Sequence, residues 1–369
     1  MDKVLTELLE TDFSESHQKE WFPNEVFIYG TGNVAGDVLN ALTVRGIPVS
    51  GFLDHHTDKT SFHERKISKP EAIPAKKRHE ASVIIGIHNR AANISAIIKN
   101  LDELGYQHIV TLIELYDTFH DLLGDRYWLT RRSYYSSHFA EIESASSLWA
   151  DDASRSLYST LLRFRLSGKY TLLNQPNFEN QYFPPDIPKW KQPIRFVDCG
   201  AFDGDTLRSF AEANIPIEAL AAFEPDQNNF QKLAKYVQKE EIPNSFLWPC
   251  GVYSSSLQLK FSSGQGEASV ISEEGTFIIQ CIALDEAIPN FKPTLIKMDI
   301  EGAEIEALNG AQHIIQKYRP GLAISVYHFP AHIWEIPLLI KKMMPDAYRY
   351  FLRAHGFNDF DIVLYAIPI

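Results

Sequence analysis

Cysteine is scarce. Only three occur in 369 residues, Cys199, Cys250 and Cys281, and none stands in a C-x-x-C pair or beside a histidine cluster. No zinc site is visible in that spacing. Each cysteine lies in or beside an apolar run, which reads as a buried free thiol in a reducing compartment. Long apolar stretches are also lacking, and nothing approaches the roughly 20 residues that span a bilayer. The amino terminus, MDKVLTELLETDFSE, carries acids and no apolar run, so it does not read as a secretory signal. A cytoplasmic location without a membrane partner is expected. Basic clusters are few: 35 Lys and Arg face 47 Asp and Glu, for a formal net charge of −12. The short run Lys76-Lys77-Arg78 reads as a solvated loop. A nucleic-acid partner is not expected, because neutralising phosphates needs clustered Lys and Arg.

What is present is ordinary globular composition, 45% hydrophobic and 22% charged, in a length that favours two domains. Two regions alternate short apolar runs with helical periods, the pattern of a parallel sheet. The first holds about four strands, Val26–Tyr29, Ile47–Phe52, Val83–Ile87 and Ile109–Leu112, with helices near 33–45 and 91–104. The second begins at Ile194–Val197 and runs through Leu220–Phe223, Phe246–Leu247, Thr294–Lys297 and Leu322–Val326. It ends with Tyr348–Leu352 and Asp361–Ala366. Between the two, Leu148–Leu173 reads as a helix. A proline-rich connector with Pro176, Pro184, Pro185, Pro188 and Pro193 follows, since proline breaks helices and central strands. The fold class expected is α/β, with two doubly wound domains.

The strongest motif is Phe196-Val197-Asp198-Cys199-Gly200-Ala201-Phe202-Asp203-Gly204-Asp205-Thr206. An apolar strand ends in an acid, and a glycine loop then opens a helix. In an open α/β sheet this turn lies at the carboxyl edge, where ligands bind. Its acids Asp198, Asp203 and Asp205 would repel a pyrophosphate but suit sulfonium and ammonium groups. S-adenosylmethionine therefore fits this loop better than NAD. The next strand ends in Glu224-Pro225-Asp226. Glu224 stands about 20 residues beyond the loop, the spacing at which an acid accepts from ribose hydroxyls. Pro225 and Cys250-Gly251 would border the adenine. A fourth strand, Leu295–Met298, delivers Asp299 and Glu301 to the same edge, and Gly302 turns the chain into a helix. The acid Glu304 in that first turn reads mainly as a partner of the helix dipole.

In this order and spacing, VDCGAFDGDT, FEPD and IKMDIEGAE resemble the FkbM family of methyltransferases. Ile324–His328, Asp361–Tyr365 and Gln181-Tyr182-Phe183 match that family too, so the resemblance covers roughly residues 150–369. It implies a class I methyltransferase fold using S-adenosylmethionine and O-methylation of a hydroxyl on a sugar or natural product. The domains expected are a Rossmann-like nucleotide- or sugar-binding type over 1–125, a helical connector over 126–190 and the methyltransferase over 191–369.

The cofactor is expected at Asp198, Gly200, Ala201, Asp203, Gly204, Asp205, Thr206, Glu224, Pro225, Gly251 and Asp299. A hydroxyl needs help to lose its proton, and the catalytic candidates are Asp299, Glu301 and His328. Asp299 is the one that could instead hold the methionine amino group. A base from the loop near Gly264–Ser269 is the fallback. Asp299 and Glu301 are oxygen donors that could bind a divalent cation, but no further acids cluster beside them in sequence, and no metal is expected.

In the first region, Gly30-Thr31-Gly32-Asn33-Val34-Ala35 fits G-x-G-x-x-A, with Asp54 about 20 residues on. Gly30, Gly32, Asn33 and Asp54 form a second, candidate nucleotide site. Two other functions stay open: an NAD(P)- or nucleotide-sugar-binding protein acting through this region, and a non-catalytic S-adenosylmethionine-binding protein. The partner expected is a small-molecule or carbohydrate acceptor, and a homo-oligomer is left open.

Overall fold

The computed structural model describes residues 2–13, 22, 25–262, 270–271 and 277–369. The chain divides into two compact units. One comprises Met1–Glu143, Tyr158–Pro176 and Gly356–Phe360; the other comprises Ser144–Leu157, Asn177–His355 and Asp361–Ile369. The stretch read as a connector is thus shared between them. Its helix forms as Asp152–Ser167 and stops at Gly168, whose φ of +68° suits glycine.

The first unit is built on a six-stranded sheet of β1 (Val26–Tyr29), β2 (Val49–Leu53), β3 (Ser61–Phe62), β4 (Arg65–Ser68), β5 (Ser82–Ile85) and β6 (His108–Val110). Their order is β3-β4-β2-β1-β5-β6. Every pair is parallel except β3 with β4. All four residues of β1 and of β5 are buried, as expected for parallel strands covered on both faces. The expected count of about four strands is corrected to six. β3 and β4 are short and lie at an edge, with only exposed or half-buried residues, so they leave no apolar run to read. The helix Asn33–Val44 follows β1. A capping box of Thr111 and Glu114 starts the helix Leu112–Leu123. Arg165 and Asp359 form a fully buried ion pair at 2.6 Å, joining two of the unit's three segments.

The second unit holds a seven-stranded sheet of β7 (Ile194–Cys199), β8 (Ile217–Phe223), β9 (Ser245–Trp248), β14 (Leu295–Met298), β15 (Gly321–Ser325), β16 (Tyr348–Ala354) and β17 (Ile362–Pro368). The order is β16-β17-β15-β14-β7-β8-β9. β17 alone is reversed in direction, pairing antiparallel with both β15 and β16. The chain moves outward from β7 to β9, then returns to the other side of β7 at β14. That reversal makes the carboxyl ends of β7 and β14 a topological switch point, where open α/β sheets bind ligands. A core of Phe196, Leu220, Leu295, Ala323 and Val363 backs it, with Phe196 stacked on Phe210 at 5.1 Å.

A second sheet was not foreseen. It consists of β10 (Gly251–Val252), β11 (Leu257–Ser262), β12 (Val270–Ile271) and β13 (Phe277–Ile282), in the order β10-β13-β11-β12. In β13 only Ile279 and Cys281 are buried. All three cysteines are free and buried.

Candidate active site

The loop after β7 is shaped by one close approach. A Cβ at Gly200 would collide with the Asp299 carbonyl at the end of β14, and the residue's φ of +79° is itself a glycine conformation. Register then sets the electrostatics. Asp198 on β7 pairs directly with Lys297 on β14, which puts their side chains on one face. Lys297 Nζ lies 3.0 Å from Asp198 Oδ1 and donates to the Gly200 carbonyl at 2.6 Å. Both residues are buried. Burial pushes Asp198 up to about 6, with Lys297 pulling the other way. Burial also works against the Lys297 ammonium, but Asp198, Asp299 and Asp205 outweigh it and keep the lysine charged. Lys297 was missed in the sequence. Its only signal there is a lone cation inside the apolar run Leu295–Met298.

The other loop residues divide. The backbone N–H groups of Gly200 and Ala201 both donate to the Phe223 carbonyl, which ties the loop to β8. Gly204, with φ of +89°, caps the helix Asp205–Glu212. Asp205 accepts from the Thr206 N–H at 2.8 Å. Asp203 instead pairs with Arg208 on the same helix. Asp198 Oδ2 and Thr206 Oγ1 are buried and have no hydrogen-bond partner among the described residues.

Glu224, at the end of β8, is held from two sides. The Phe202 N–H donates to Oε2 at 2.9 Å and the Asp226 N–H to Oε1 at 2.8 Å. Burial nevertheless pushes its pKa up to about 7, against those two hydrogen bonds. Pro225 beside it is half-buried. Gly251 packs on Cys281, with a Cβ there falling 2.9 Å from Sγ. A ribose hydroxyl donates better to a carboxylate than to a carboxylic acid. A ligand hydroxyl held by Glu224 should therefore bind less tightly as pH falls through about 7, with affinity levelling off above it, and S-adenosylhomocysteine is the probe. Glu224→Gln should remove that slope. Calorimetry on parent and variant between pH 6 and 8.5 checks this; identical slopes would separate Glu224 from the ligand.

Beyond Asp299 the chain turns tightly. Glu301 has φ of +54° and Gly302 of +105°, and a Cβ at Gly302 would collide with the Phe329 ring. The turn gathers carboxylates around one imidazole. His328 Nε2 lies 3.5 Å from Asp299 Oδ1 and 3.6 Å from Glu301 Oε2. Its Nδ1 lies 2.8 Å from Glu304 Oε1, and His332 Nδ1 is 3.4 Å from Glu304 Oε2. The buried Tyr182 phenol donates to Asp299 Oδ2 at 3.1 Å. Burial favours a neutral His328, but Glu304, Glu301 and Asp299 overcome it and raise the pKa to about 10. Burial likewise opposes the Asp299 carboxylate, while Lys297 and His328 hold its pKa below the usual value. The side chains of Asp299 and Glu301 are about a quarter exposed, whereas those of His328 and Glu304 are sealed. Asp299 and Glu301 therefore face outward with a cation behind them. Tyr182, Glu304 and His332 were not among the expected site residues. Gly264–Ser269 lies outside the described residues.

In the first unit, Gly30 turns with φ of +104°, and Gly32 caps the helix Asn33–Val44 without a side-chain hydrogen bond. Asp54 stands by the loop, but its own chain fills it. Thr31 Oγ1 donates to Oδ2 at 2.9 Å, and the His56 and Thr57 N–H groups donate to Oδ1.

Among proteins of known function, Hexuronic acid methyltransferase AglP of Haloferax volcanii is 30% identical over 102 residues. The aligned part is 26% of this chain and 42% of that protein, so the chain spans less than half the length of this curated relative. The crystal structure of Methyltransferase FkbM from Methylobacillus flagellatus KT superposes with a TM-score of 0.78. It covers 100% of this chain and 94% of that one at 20% identity, a likeness of fold. The Methyltransferase FkbM domain model matches residues 198–358, from the loop acid Asp198 past His328. The match to that family model thus falls almost wholly in the second unit, and the fold is mixed α/β with parallel-strand sheets like that of the methyltransferase structure.

Proposed function

We propose that the chain is an S-adenosylmethionine-dependent O-methyltransferase whose acceptor is a hydroxyl on a sugar or another small natural product. One observation carries this reading. The acid-lined loop after β7 and the Asp299–Glu301–His328 cluster meet at the switch point of one sheet, at the contact between Gly200 and Asp299. The residues fit the cofactor. Asp198 Oδ2 and the Thr206 hydroxyl are buried polar groups without a hydrogen-bond partner among the described residues, and Glu224 is anchored at the end of β8. When bound, S-adenosylmethionine supplies a methyl group on a sulfonium and leaves as the neutral thioether. Glu224 would accept from the ribose hydroxyls, Pro225 and Gly251 would border the adenine, and Asp299 would receive the methionine ammonium. Glu301, the other outward carboxylate, would accept the acceptor's proton as its oxygen attacks. Positioning of that oxygen supplies much of the remaining rate. The partial relative named for a hexuronic acid supports a carbohydrate acceptor. The filled Asp54 in the first unit disfavours the NAD reading.

Glu224→Ala should weaken S-adenosylhomocysteine binding by about 1.5–3 kcal/mol, the range for a hydrogen bond to a charged group. Calorimetry measures it, with NAD(P) and nucleotide-sugars as controls. Unchanged affinity in a folded variant refutes the ribose assignment. Tight NAD(P) binding without S-adenosylhomocysteine binding refutes the whole reading.

A further inference from the structure

We infer that Glu304 is a positioning residue: it grips His328 through Nδ1 so that the Nε2 edge of the imidazolium faces Asp299 and Glu301 as a fixed positive charge. Resting on the proposed methyl transfer, this makes His328 a fixed cation and leaves proton acceptance to a carboxylate beside it.

A first-turn helix acid needs no burial to serve the dipole, because the favourable interaction is available at the surface. Glu304 is instead wholly buried, and a buried carboxylate persists only where partners replace water. Three groups converge on it. The Ile300 N–H donates to Oε1 at 2.9 Å, which closes the turn that carries Glu301. His328 Nδ1 lies 2.8 Å from the same oxygen. His332, from the helix His332–Met343, approaches the other oxygen at 3.4 Å. An ionised carboxylate only accepts, so Nδ1 carries the proton in this contact. The ring plane is then set, and Nε2 falls between Asp299 and Glu301 at 3.5 and 3.6 Å. The positive charge there stabilises two carboxylates that would otherwise repel each other. Carboxylate–imidazole pairs elsewhere fix tautomer and orientation in the same manner. The groups facing His328 are Asp299, Glu301 and Glu304, with His332 across Glu304 and the Tyr327 ring 4.2 Å away. The raised pKa of His328 agrees with this arrangement.

Nitrogen-15 histidine spectra of the full chain test it, with His328 assigned by loss of its signal in His328→Asn. In the parent, both ring nitrogens should be protonated at pH 8, with the Nδ1 proton far downfield and slow to exchange. Glu304→Gln should lower the titration midpoint by roughly 1–3 pH units, the usual effect of losing an adjacent opposite charge. An unmoved midpoint in the folded variant overturns the inference. If the variant does not fold, the parent spectrum decides: the protected downfield Nδ1 proton supports the grip, and a neutral imidazole at pH 8 overturns it. None of these readouts requires turnover. A chain that binds S-adenosylhomocysteine but methylates no hydroxyl defeats the proposed reaction and leaves the test of Glu304 intact.

Discussion

Lys297→Met is expected to destabilise the second unit by about 3–5 kcal/mol, the usual cost of removing one partner from a buried ion pair. The substitution roughly preserves length and apolar volume, so little of the loss would come from packing. It would come from Asp198, which is sealed from water and has Lys297 as its ion-pair partner. The Gly200 carbonyl would lose its donor at the same time. The loss should depend on pH. The parent's Asp198 already sits above the ordinary carboxylate range, at about 6, and without the ammonium it would rise further. A group whose folded pKa is raised contributes stability that is present at low pH and lost as pH rises through that pKa. The gap between variant and parent should therefore be wide at pH 8 and close as the pH falls to 5. Adding Asp198→Asn to Lys297→Met should recover part of the stability at pH 8, because the stranded charge is gone. Urea melts of parent, single and double variants at both pH values provide the check. A single variant as stable as the parent at pH 8 would mean that the pair contributes nothing.

Glu301→Gln is expected to lower methyl transfer by roughly 10²–10⁴-fold, the range for losing a general base, while leaving S-adenosylhomocysteine affinity intact. Glu301 and Asp299 are the two members of the cluster with side chains open to the outside. Asp299 is tied by Tyr182 and drawn on by Lys297, an arrangement suited to a permanent anion that receives an ammonium. Asp299→Asn should accordingly lose cofactor affinity along with rate. His328→Asn should lower the rate by a smaller factor than Glu301→Gln, because it removes a positive charge behind the carboxylates and not the acceptor of the proton. The measurement is single-turnover transfer from a labelled methyl donor to a panel of sugar and polyketide-type hydroxyl compounds. Glu301→Gln at the parent rate would remove Glu301 from the reaction and leave positioning, or another group, to account for it.

Much of the architecture was readable because parallel strands are covered on both faces. β1, β5, β7, β8, β14 and β15 all lie in or beside apolar runs, and the turns after β1, β7, β8 and β14 announce themselves with glycine or an acid. The strands that escaped notice lack that covering. β3 and β4 sit at an edge, and β13 buries only alternate residues. That these acids collect at the carboxyl edge of one sheet was legible as well, but what each one touches was not. Asp203 belongs with Arg208, five residues along its own chain, and Asp198 with Lys297, ninety-nine residues away.

The sequence by itself determined the order of the covered parallel strands, the loop from Asp198 to Thr206, and the delivery of Glu224, Asp299, Glu301 and His328 to one edge of one sheet. These follow from local chemistry: apolar runs bury, glycines turn, and a strand end points to the carboxyl edge whatever lies beside it. Only the tertiary structure decided which of those groups is charged and which is held. Register across β7 and β14 paired Asp198 with Lys297. The tight turn at Glu301-Gly302 brought Glu304 back under His328, twenty-four residues later in the chain. Protonation depends on distance and on exclusion from water, and both are set by residues remote in sequence.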